Sequence, residues 1–149
     1  MLIFLLGDVW FGVRVEESAG LVDADRLAPL PRQELPMAGI LAFRGAMVPA
    51  FNLASYLGIE SPGGSCPGYV LVLSRGADRF GVVMPAMPYL IPARDLREVD
   101  TSKAGSELAS VIDTEFEAGE RRIYCLKYWS IIESIMPLVA GRCSAAAGN

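Results

Sequence analysis

The stretch GILAFRGAMVPAFNL, residues Gly39–Leu53, decides the fold of this 149-residue chain. Two short apolar runs, Ile40–Phe43 and Ala46–Phe51, flank the dipeptide Arg44-Gly45. A glycine-containing pair of residues between two such runs predicts a tight β-hairpin. Pro49 lies inside the second run, and because proline cannot donate a ladder hydrogen bond, it indicates an edge strand or a bulge.

Short strands and turns continue on both sides of this hairpin. Apolar runs of about five or six residues between glycine- or aspartate-containing turns predict further strands. These predicted strands are Leu2–Leu6, Trp10–Val15, Tyr69–Leu73, Phe80–Met84 and Arg122–Leu126. Helical spacing of apolar residues is confined to Asn52–Leu57 and Lys127–Ile135. The sequence therefore predicts an all-β fold with a few short helices.

The chain also repeats itself. Residues Gly7–Val13 and Gly76–Val82 share the frame Gly-x-x-x-Phe-Gly-Val and lie 69 residues apart. A weaker echo relates the Arg44-Gly45 turn, with the strand and helix after it, to the Ala118-Gly119 turn and its own strand and helix. Two copies at this spacing indicate a duplicated β unit, because arrays of solenoid or propeller repeats have shorter periods.

The predicted domain organisation follows from this repeat and from the length of the chain, which suits one domain. We predict a single domain over residues 1–140, with a first β unit at about residues 1–60 and a second at about residues 68–136. The loop 60–68, rich in proline and glycine, separates the two units, and residues 141–149 form a flexible tail.

Composition and charge exclude several classes of function. The net charge of −4 argues against nucleic-acid binding, which favours a basic face. The chain has no histidine, so Ser-His-Asp and Cys-His catalysis and histidine-based metal sites are excluded. Cys66, Cys125 and Cys143 are odd in number and far apart, which fits a reducing cytoplasm rather than a disulfide framework. No apolar run is long enough for direct membrane insertion.

One group of carboxylates could carry chemistry. Asp113, Glu115 and Glu117 alternate along a predicted strand and would share one face, where they could bind a hard cation or act as an acid/base pair. The favoured interpretation is a solvated face whose charges discourage strand pairing with other molecules. Cys125, between two hydrophobic neighbours, is expected to be a small core residue rather than a nucleophile. We therefore predict no enzymatic activity, no cofactor and no metal.

Arg44 is the most informative polar residue for a binding function. It lies at the tip of a tight and otherwise apolar hairpin. Arginine is frequent in interface hot spots, because its planar guanidinium makes directed contacts while its aliphatic stem packs. The alternative is an ordinary solvated turn residue.

The same segment resembles the CheW-like domain family, the adaptor module of bacterial chemosensory arrays. The family pattern around Asn-Leu-Arg-Gly and Val-Pro is matched at Gly39, Ile40, Arg44, Gly45, Val48, Pro49 and Leu53. Upstream, Phe4–Val13 is similar to the opening hairpin of the family, and Arg79–Val83 is similar to the start of its second half. The resemblance extends over about residues 2–136.

The resemblance implies two small, interlocked, five-stranded SH3-like β-barrels with a core between them, and chain ends that cross over between the barrels. It also implies a non-enzymatic adaptor that couples the cytoplasmic tips of chemoreceptors to the regulatory domain of a CheA-type histidine kinase. Gly39 and Arg44 are the partner-facing residues by family position. We expect the full set of partner-binding residues to be Gly39, Ile40, Phe43, Arg44, Val48 and Pro49, with Leu21 and Val22 as apolar support.

The chain departs from the family pattern at several positions, so we expect a divergent member. These positions are Ser18, Gly20, Ala42, Asn52, Pro85 and Lys127. A pathway such as pilus motility, or the loss of one of two partners, would explain them. Two other classes of function stay open: a scaffold that associates with itself through exposed apolar strands, and a β-barrel that binds a small ligand or a metal through the Asp113, Glu115 and Glu117 face.

Overall fold

The computed structural model describes residues 1–28, 36–59, 68–100 and 110–135. The predicted linker at 60–67, the predicted tail at 141–149, Cys66 and Cys143 lie outside the described residues. The strands are β1 (Leu2–Leu6), β2 (Val9–Val13), β3 (Ser18–Asp23), β4 (Leu27–Ala28), β5 (Met37–Phe43), β6 (Ala46–Phe51), β7 (Tyr69–Arg75), β8 (Asp78–Met84), β9 (Tyr89–Leu90), β10 (Arg97–Val99), β11 (Ile112–Ala118) and β12 (Arg121–Leu126). The α-helices are α1 (Leu53–Leu57) and α2, residues 128–135, and 3-10 turns occur at Val15–Glu17, Ala24–Arg26 and Ala93–Asp95.

The strands form two sheets, which confirms the all-β prediction. The terminal sheet has the order β10-β11-β12-β2-β1-β9, and the central sheet has the order β3-β7-β8-β6-β5-β4. Each sheet has six strands where five were expected, because the two-residue strands β4 and β9 add short ladders to β5 and β1 at the sheet edges. The predicted hairpins β1–β2, β5–β6 and β7–β8 all form, with antiparallel pairing.

The two sheets repeat one arrangement. In each, a hairpin that leads into a helix pairs in parallel with the second strand of another hairpin: β6 pairs with β8, and β12 pairs with β2. The strands β2 and β8 carry the two Phe-Gly-Val frames, and the hairpins β5–β6 and β11–β12 carry the weaker echo. The sequence repeat therefore corresponds to equivalent positions in the two sheets.

The sheets are interlocked between the two halves of the chain. The terminal sheet takes β1 and β2 from the first half and β9–β12 from the second, whereas the central sheet takes β3–β6 from the first half and β7 and β8 from the second. The boundaries expected at about 1–60 and 68–136 thus correspond to the sequence repeat and not to the sheets. The physical reason is that β2 and β8 each pair with a strand of the opposite half.

The main hydrophobic core lies between the sheets. One face of each sheet and both helices contribute to it, through residues such as Phe11, Phe80, Leu53 and Ile131. A second cluster, which includes Leu41, Val48 and Val72, fills the other side of the central sheet. Tyr128 connects α2 to this framework, because its buried hydroxyl donates a hydrogen bond to the carbonyl of Gly12 over 2.8 Å.

Candidate functional site

The tip of the β5–β6 hairpin presents Arg44 to solvent. Both turn residues, Arg44 and Gly45, have positive φ values, of 48° and 78°. Positive φ at both central residues is the geometry of the tight hairpin turn whose twist matches its strands. A positive φ is uncommon for any residue with a side chain, so the backbone holds Arg44 in a conformation that turn closure requires. Arg44 is exposed at the hairpin tip, a position that both the partner-binding interpretation and the solvated-turn alternative require.

Phe43 gives this arginine a platform. The guanidinium carbon of Arg44 lies 4.9 Å from the centre of the Phe43 ring, which is a cation–π distance. The guanidinium carbon of Arg79, on the neighbouring hairpin β7–β8, lies 5.8 Å from the same ring. Two arginines from different hairpins therefore share one half-buried aromatic ring, and we call Phe43, Arg44 and Arg79 the arginine cluster.

The ring of Phe43 is held from below. A Cβ atom on Gly20 would lie 2.9 Å and 3.0 Å from two carbons of the ring, so the ring packs directly over the bare backbone of β3. Phe43 also packs against the second hydrophobic cluster, together with Val22. The departure at Gly20 thus has a local structural reason, because a larger residue would displace Phe43.

The arginine cluster has no acidic partner in the described part of the chain. Ion pairs there join Arg75 to Glu133, Arg97 to Glu117, and Arg122 to both Glu115 and Glu117. Neither Arg44 nor Arg79 takes part in any of these pairs. The cluster is therefore a patch of positive charge on a protein whose net charge is −4.

Two of the other residues expected to bind a partner are buried. Val48 is buried in the second cluster, and Gly39 is buried where β5 passes β4. A Cβ atom on Gly39 would clash with the carbonyl oxygen of Ala28, so its observed role is a close approach between strands. Ile40 and Pro49 are directly opposite each other and only half exposed.

Leu21 and Val22 lie on β3, which is at the opposite end of the strand order from β4 but approaches Phe43 of β5 at Gly20. Their side chains alternate: Val22 packs against the second cluster, whereas Leu21 is 39% exposed. Of the eight expected residues, the structure therefore brings Phe43 and Arg44 into contact at the surface and places Val22 and Val48 in the cluster against which Phe43 packs.

Arg79 was missed by the sequence analysis as a site residue. It directly precedes the Phe80-Gly81-Val82 frame, where charge and spacing alone give no sign of its neighbour. Its approach to Phe43 depends on the parallel pairing of β6 with β8, which brings the two hairpins side by side. The one indication in the sequence is Gly20, which departs from the family pattern. A glycine within a strand can mark the close approach of a large side chain.

The carboxylate face differs from both interpretations of the sequence. Glu115 is only 2% exposed, and the Nε atom of Arg122 lies 2.9 Å from its Oε1 atom. Glu117 accepts hydrogen bonds from Arg97 and Arg122, and these bonds lower its pKa below the ordinary value. A β-bulge beside Asp113 shifts that residue out of register with the other two. Glu115 and Glu117 are thus neutralised by arginines, whereas Asp113 is exposed, and among the described residues no group of His, Cys, Asp or Glu could hold a metal ion.

Cys125 also lacks the features of a nucleophile. Burial raises the pKa of its thiol from 9.0 to about 12, so the thiolate is disfavoured near neutral pH. The Sγ atom lies 3.7 Å from the sulfur of Met1. Cys125 is half-buried and lies outside the two core clusters, so the expectation of a core position is met only in part.

Within the described ranges, no helix is both long and apolar enough to cross a membrane. No curated protein matches the chain in sequence. The solved structures include a similar one, the crystal structure of scaffolding protein TtCheW from Thermoanaerobacter tengcongensis. It shares 16% sequence identity with a TM-score of 0.65, over 85% of this chain and 86% of that chain, which shows a common fold. The CheW-like domain matches residues 1–112. Because that match covers most of the sequence and the fold agrees with it, the chain belongs to the CheW-like domain family.

Proposed function

We propose that this protein is a non-enzymatic coupling protein of a bacterial chemosensory system. In this role it joins the cytoplasmic tip of a chemoreceptor to the regulatory domain of a CheA-type histidine kinase, in the cytoplasm. The observation that carries the proposal is membership of the CheW-like domain family together with Arg44, which is exposed on the hairpin that contains the family pattern and has no ion-pair partner among the described residues.

The chemistry of the described residues supports binding rather than catalysis. The carboxylates Glu115 and Glu117 are engaged by Arg122, and burial disfavours the thiolate of Cys125. Arg44, by contrast, keeps its guanidinium N–H donors available to a partner. A guanidinium stacked on an aromatic ring is preorganised, so less conformational entropy is lost when it forms a directed contact.

The test is a calorimetric titration of the full chain with the regulatory domain of a CheA-type kinase from the same genome. We expect micromolar affinity, and we expect Arg44→Ala to weaken it by about 1–2 kcal/mol, which is roughly a 5- to 30-fold change in Kd. The melting temperature of Arg44→Ala should stay within about 2 °C of the original, because surface changes rarely alter stability by much.

Arg94→Ala is the matched control, since Arg94 is an exposed arginine on the terminal-sheet side of the molecule. Equal losses from both variants would mean that the effect is one of general charge, and would remove Arg44 from the interface. Absence of binding to the kinase domain at high micromolar concentration would overturn kinase coupling. A large fall in the melting temperature of Arg44→Ala would assign the residue a structural role instead.

We further propose that the partner belongs to a pathway such as pilus motility. The support is the departure from the family pattern at Gly20. Because Gly20 has no side chain, the Phe43 ring lies over β3, and this position of the ring shapes the surface beside Arg44. Titrating the chain with the kinase domain of each chemosensory gene cluster in the same genome distinguishes the pathways. Tightest binding to a flagellar-cluster kinase would contradict this part of the proposal.

Self-association is a second candidate function, favoured by one observation. Met87, Tyr89 and Leu90, in and beside the edge strand β9, are 55%, 58% and 68% exposed. Exposed apolar side chains at a sheet edge favour pairing with another chain. Light scattering after size exclusion should then show oligomers at protein concentrations up to about tenfold above the Kd of the kinase complex. The variant Leu90→Lys should reduce the fraction of oligomer. A monomer at every concentration would exclude self-association.

A further inference from the structure

The arginine cluster contains two positive charges, one from the turn residue Arg44 and one from Arg79 on the neighbouring hairpin. Both guanidinium carbons lie within 5.8 Å of the centre of one ring, although Arg44 belongs to the hairpin β5–β6 and Arg79 to β7–β8. The two side chains therefore approach one ring from adjacent hairpins. Like charges that converge repel each other, so the arrangement is more favourable when anionic groups lie between or above them.

Arg79 is the unusual member of the pair. It is partly buried, whereas Arg44 is exposed. A partly buried cation loses hydration, and in proteins such a cation is normally compensated by a carboxylate. The described residues supply carboxylates to Arg75, Arg97 and Arg122 but none to Arg79. The compensating charge is thus missing from the described chain.

We propose that Arg79 is the second arm of a two-arginine clamp, and that the clamp binds a segment of the partner protein carrying two carboxylates. Phe43 is the ring against which both guanidinium groups lie, and Gly20 makes room for this ring. Each guanidinium can hold one carboxylate through two parallel hydrogen bonds. Acidic residues three or four apart on a helix, or two apart on a strand, place two carboxylates on one face at a suitable separation.

Carboxylates fit the clamp better than the phosphates of a nucleic acid. The chain as a whole has a net charge of −4, which opposes a long polyanion. A short acidic segment brings only local charge to the cluster, where it meets the two arginines. The identity of the partner protein rests on the proposed function, but the chemistry of the clamp does not.

The first experiment uses the kinase-domain titration with Arg44→Gln, Arg79→Gln and the double variant. We expect about a tenfold loss of affinity for each single variant, because a directed charge contact is removed in each case. The fold-loss of affinity in the double variant should be smaller than the product of the two single fold-losses, because both arginines bind the same segment. Arg79→Lys should recover only part of the affinity, since lysine cannot bind a carboxylate bidentately. An unchanged Kd for Arg79→Gln, while Arg44→Gln weakens binding, would overturn the clamp and leave the coupling function standing.

The second experiment does not depend on any partner. The side-chain Nε–Hε resonances of the full chain are followed by NMR while a blocked peptide, acetyl-Glu-Ala-Ala-Ala-Glu-amide, is added at millimolar concentration. The peptide with glutamines in place of the glutamates is the control. We expect the Arg44 and Arg79 resonances to shift with the glutamate peptide only, and we expect Arg94 to stay unchanged.

Each outcome of the peptide experiment decides the proposal. No shift at Arg79, or the same shift with both peptides, overturns it, whatever the kinase titration shows. A larger shift with inorganic phosphate at equal ionic strength would assign the cluster to phosphate and overturn the carboxylate clamp. Shifts at both arginines without any kinase binding would support the clamp and refute the proposed function.

Discussion

Gly39 lies where strand β5 passes closest to β4. A Cβ atom there would clash with the backbone carbonyl oxygen of Ala28 and would lie 3.0 Å from the side chain of Leu27. We expect Gly39→Ala to lower the free energy of unfolding by about 1–3 kcal/mol, because two paired strands must move apart. Urea denaturation followed by circular dichroism measures this change. The same loss should appear in an Ala28→Gly background, since the obstacle is a backbone atom; relief by Ala28→Gly would contradict this explanation.

Gly20 differs from Gly39, because a Cβ atom added at Gly20 would meet a side chain and not a backbone atom. The ring of Phe43 would meet a Cβ atom at 2.9 Å. We expect Gly20→Ala to cost about 1–3 kcal/mol in the original chain and clearly less in a Phe43→Leu background, where the ring is absent. Thermal melts of the four proteins in this double-mutant cycle give the coupling energy. Strict additivity would show that Phe43 does not pack on Gly20.

The two helices are similar in position but begin differently. Asn52 caps α1, since its Oδ1 atom accepts a hydrogen bond from the backbone N–H of Ser55 over 3.1 Å. At α2 the carbonyl of Lys127 accepts the first helical bond, from Ile131, so Lys127 occupies the cap position. Lysine has no acceptor for the free N–H groups of the first turn. The second helix therefore begins without a side-chain cap.

This difference predicts a stabilising substitution. Lys127→Asn should raise the free energy of unfolding by about 1 kcal/mol, because asparagine supplies the missing acceptor without adding a charge. Lys127→Ala is the control, and it should give a smaller gain because it removes only the positive charge at the positive end of the helix dipole. Chemical denaturation measures both. Equal effects of Asn and Ala would show that charge, and not capping, limits α2.

The elements that the sequence predicted well are those determined locally. The hairpin at Arg44-Gly45 depends on a turn that its own residues encode, and α1 depends on a cap and a stop within seven residues. The short strands β4 and β9 depend instead on backbones that are distant in sequence. The contact of Arg79 with Phe43 has the same origin, because the parallel pairing of β6 with β8 creates it. One of the three residues of the arginine cluster, Arg79, therefore could not be identified from local sequence pattern.

At the scale of the whole molecule, two buried acids make stability depend on alkaline pH. Burial raises the pKa of Cys125 from 9.0 to about 12 and raises that of Tyr128 well above 10.0. The unfolded chain releases these protons first, so the stability they contribute is fully present below pH 9 and is lost as the pH rises towards 12. Each proton that the unfolded chain releases and the folded chain keeps lowers the free energy of unfolding by about 1.4 kcal/mol per pH unit.

The free energy of unfolding should therefore fall between pH 9 and 12, and urea titrations across this window measure the slope. In Cys125→Ala the slope should be less steep by the contribution of one proton, whereas Ser130→Ala, at an exposed position without an ionisable side chain, should keep the original slope. An unchanged slope for Cys125→Ala would contradict the burial of its thiol. The comparison uses slopes, so any constant loss of packing in the alanine variant does not affect it.

The interlocked sheets predict that neither half of the chain folds alone. Residues 1–59 contain β2 and β6 without their parallel partners β12 and β8, and residues 60–149 contain those partners alone. Each half would also expose its share of the core between the sheets. We expect each half, expressed separately, to show no cooperative melt and poorly dispersed amide resonances, and we expect the two together to recover both. A protease site inserted at 60–67 and cut after folding is the control, because the cut chain should keep its fold through the parallel pairs. Cooperative folding of either half by itself would mean that the sheets can form within one repeat, and that the crossing of strands between halves is not required for stability.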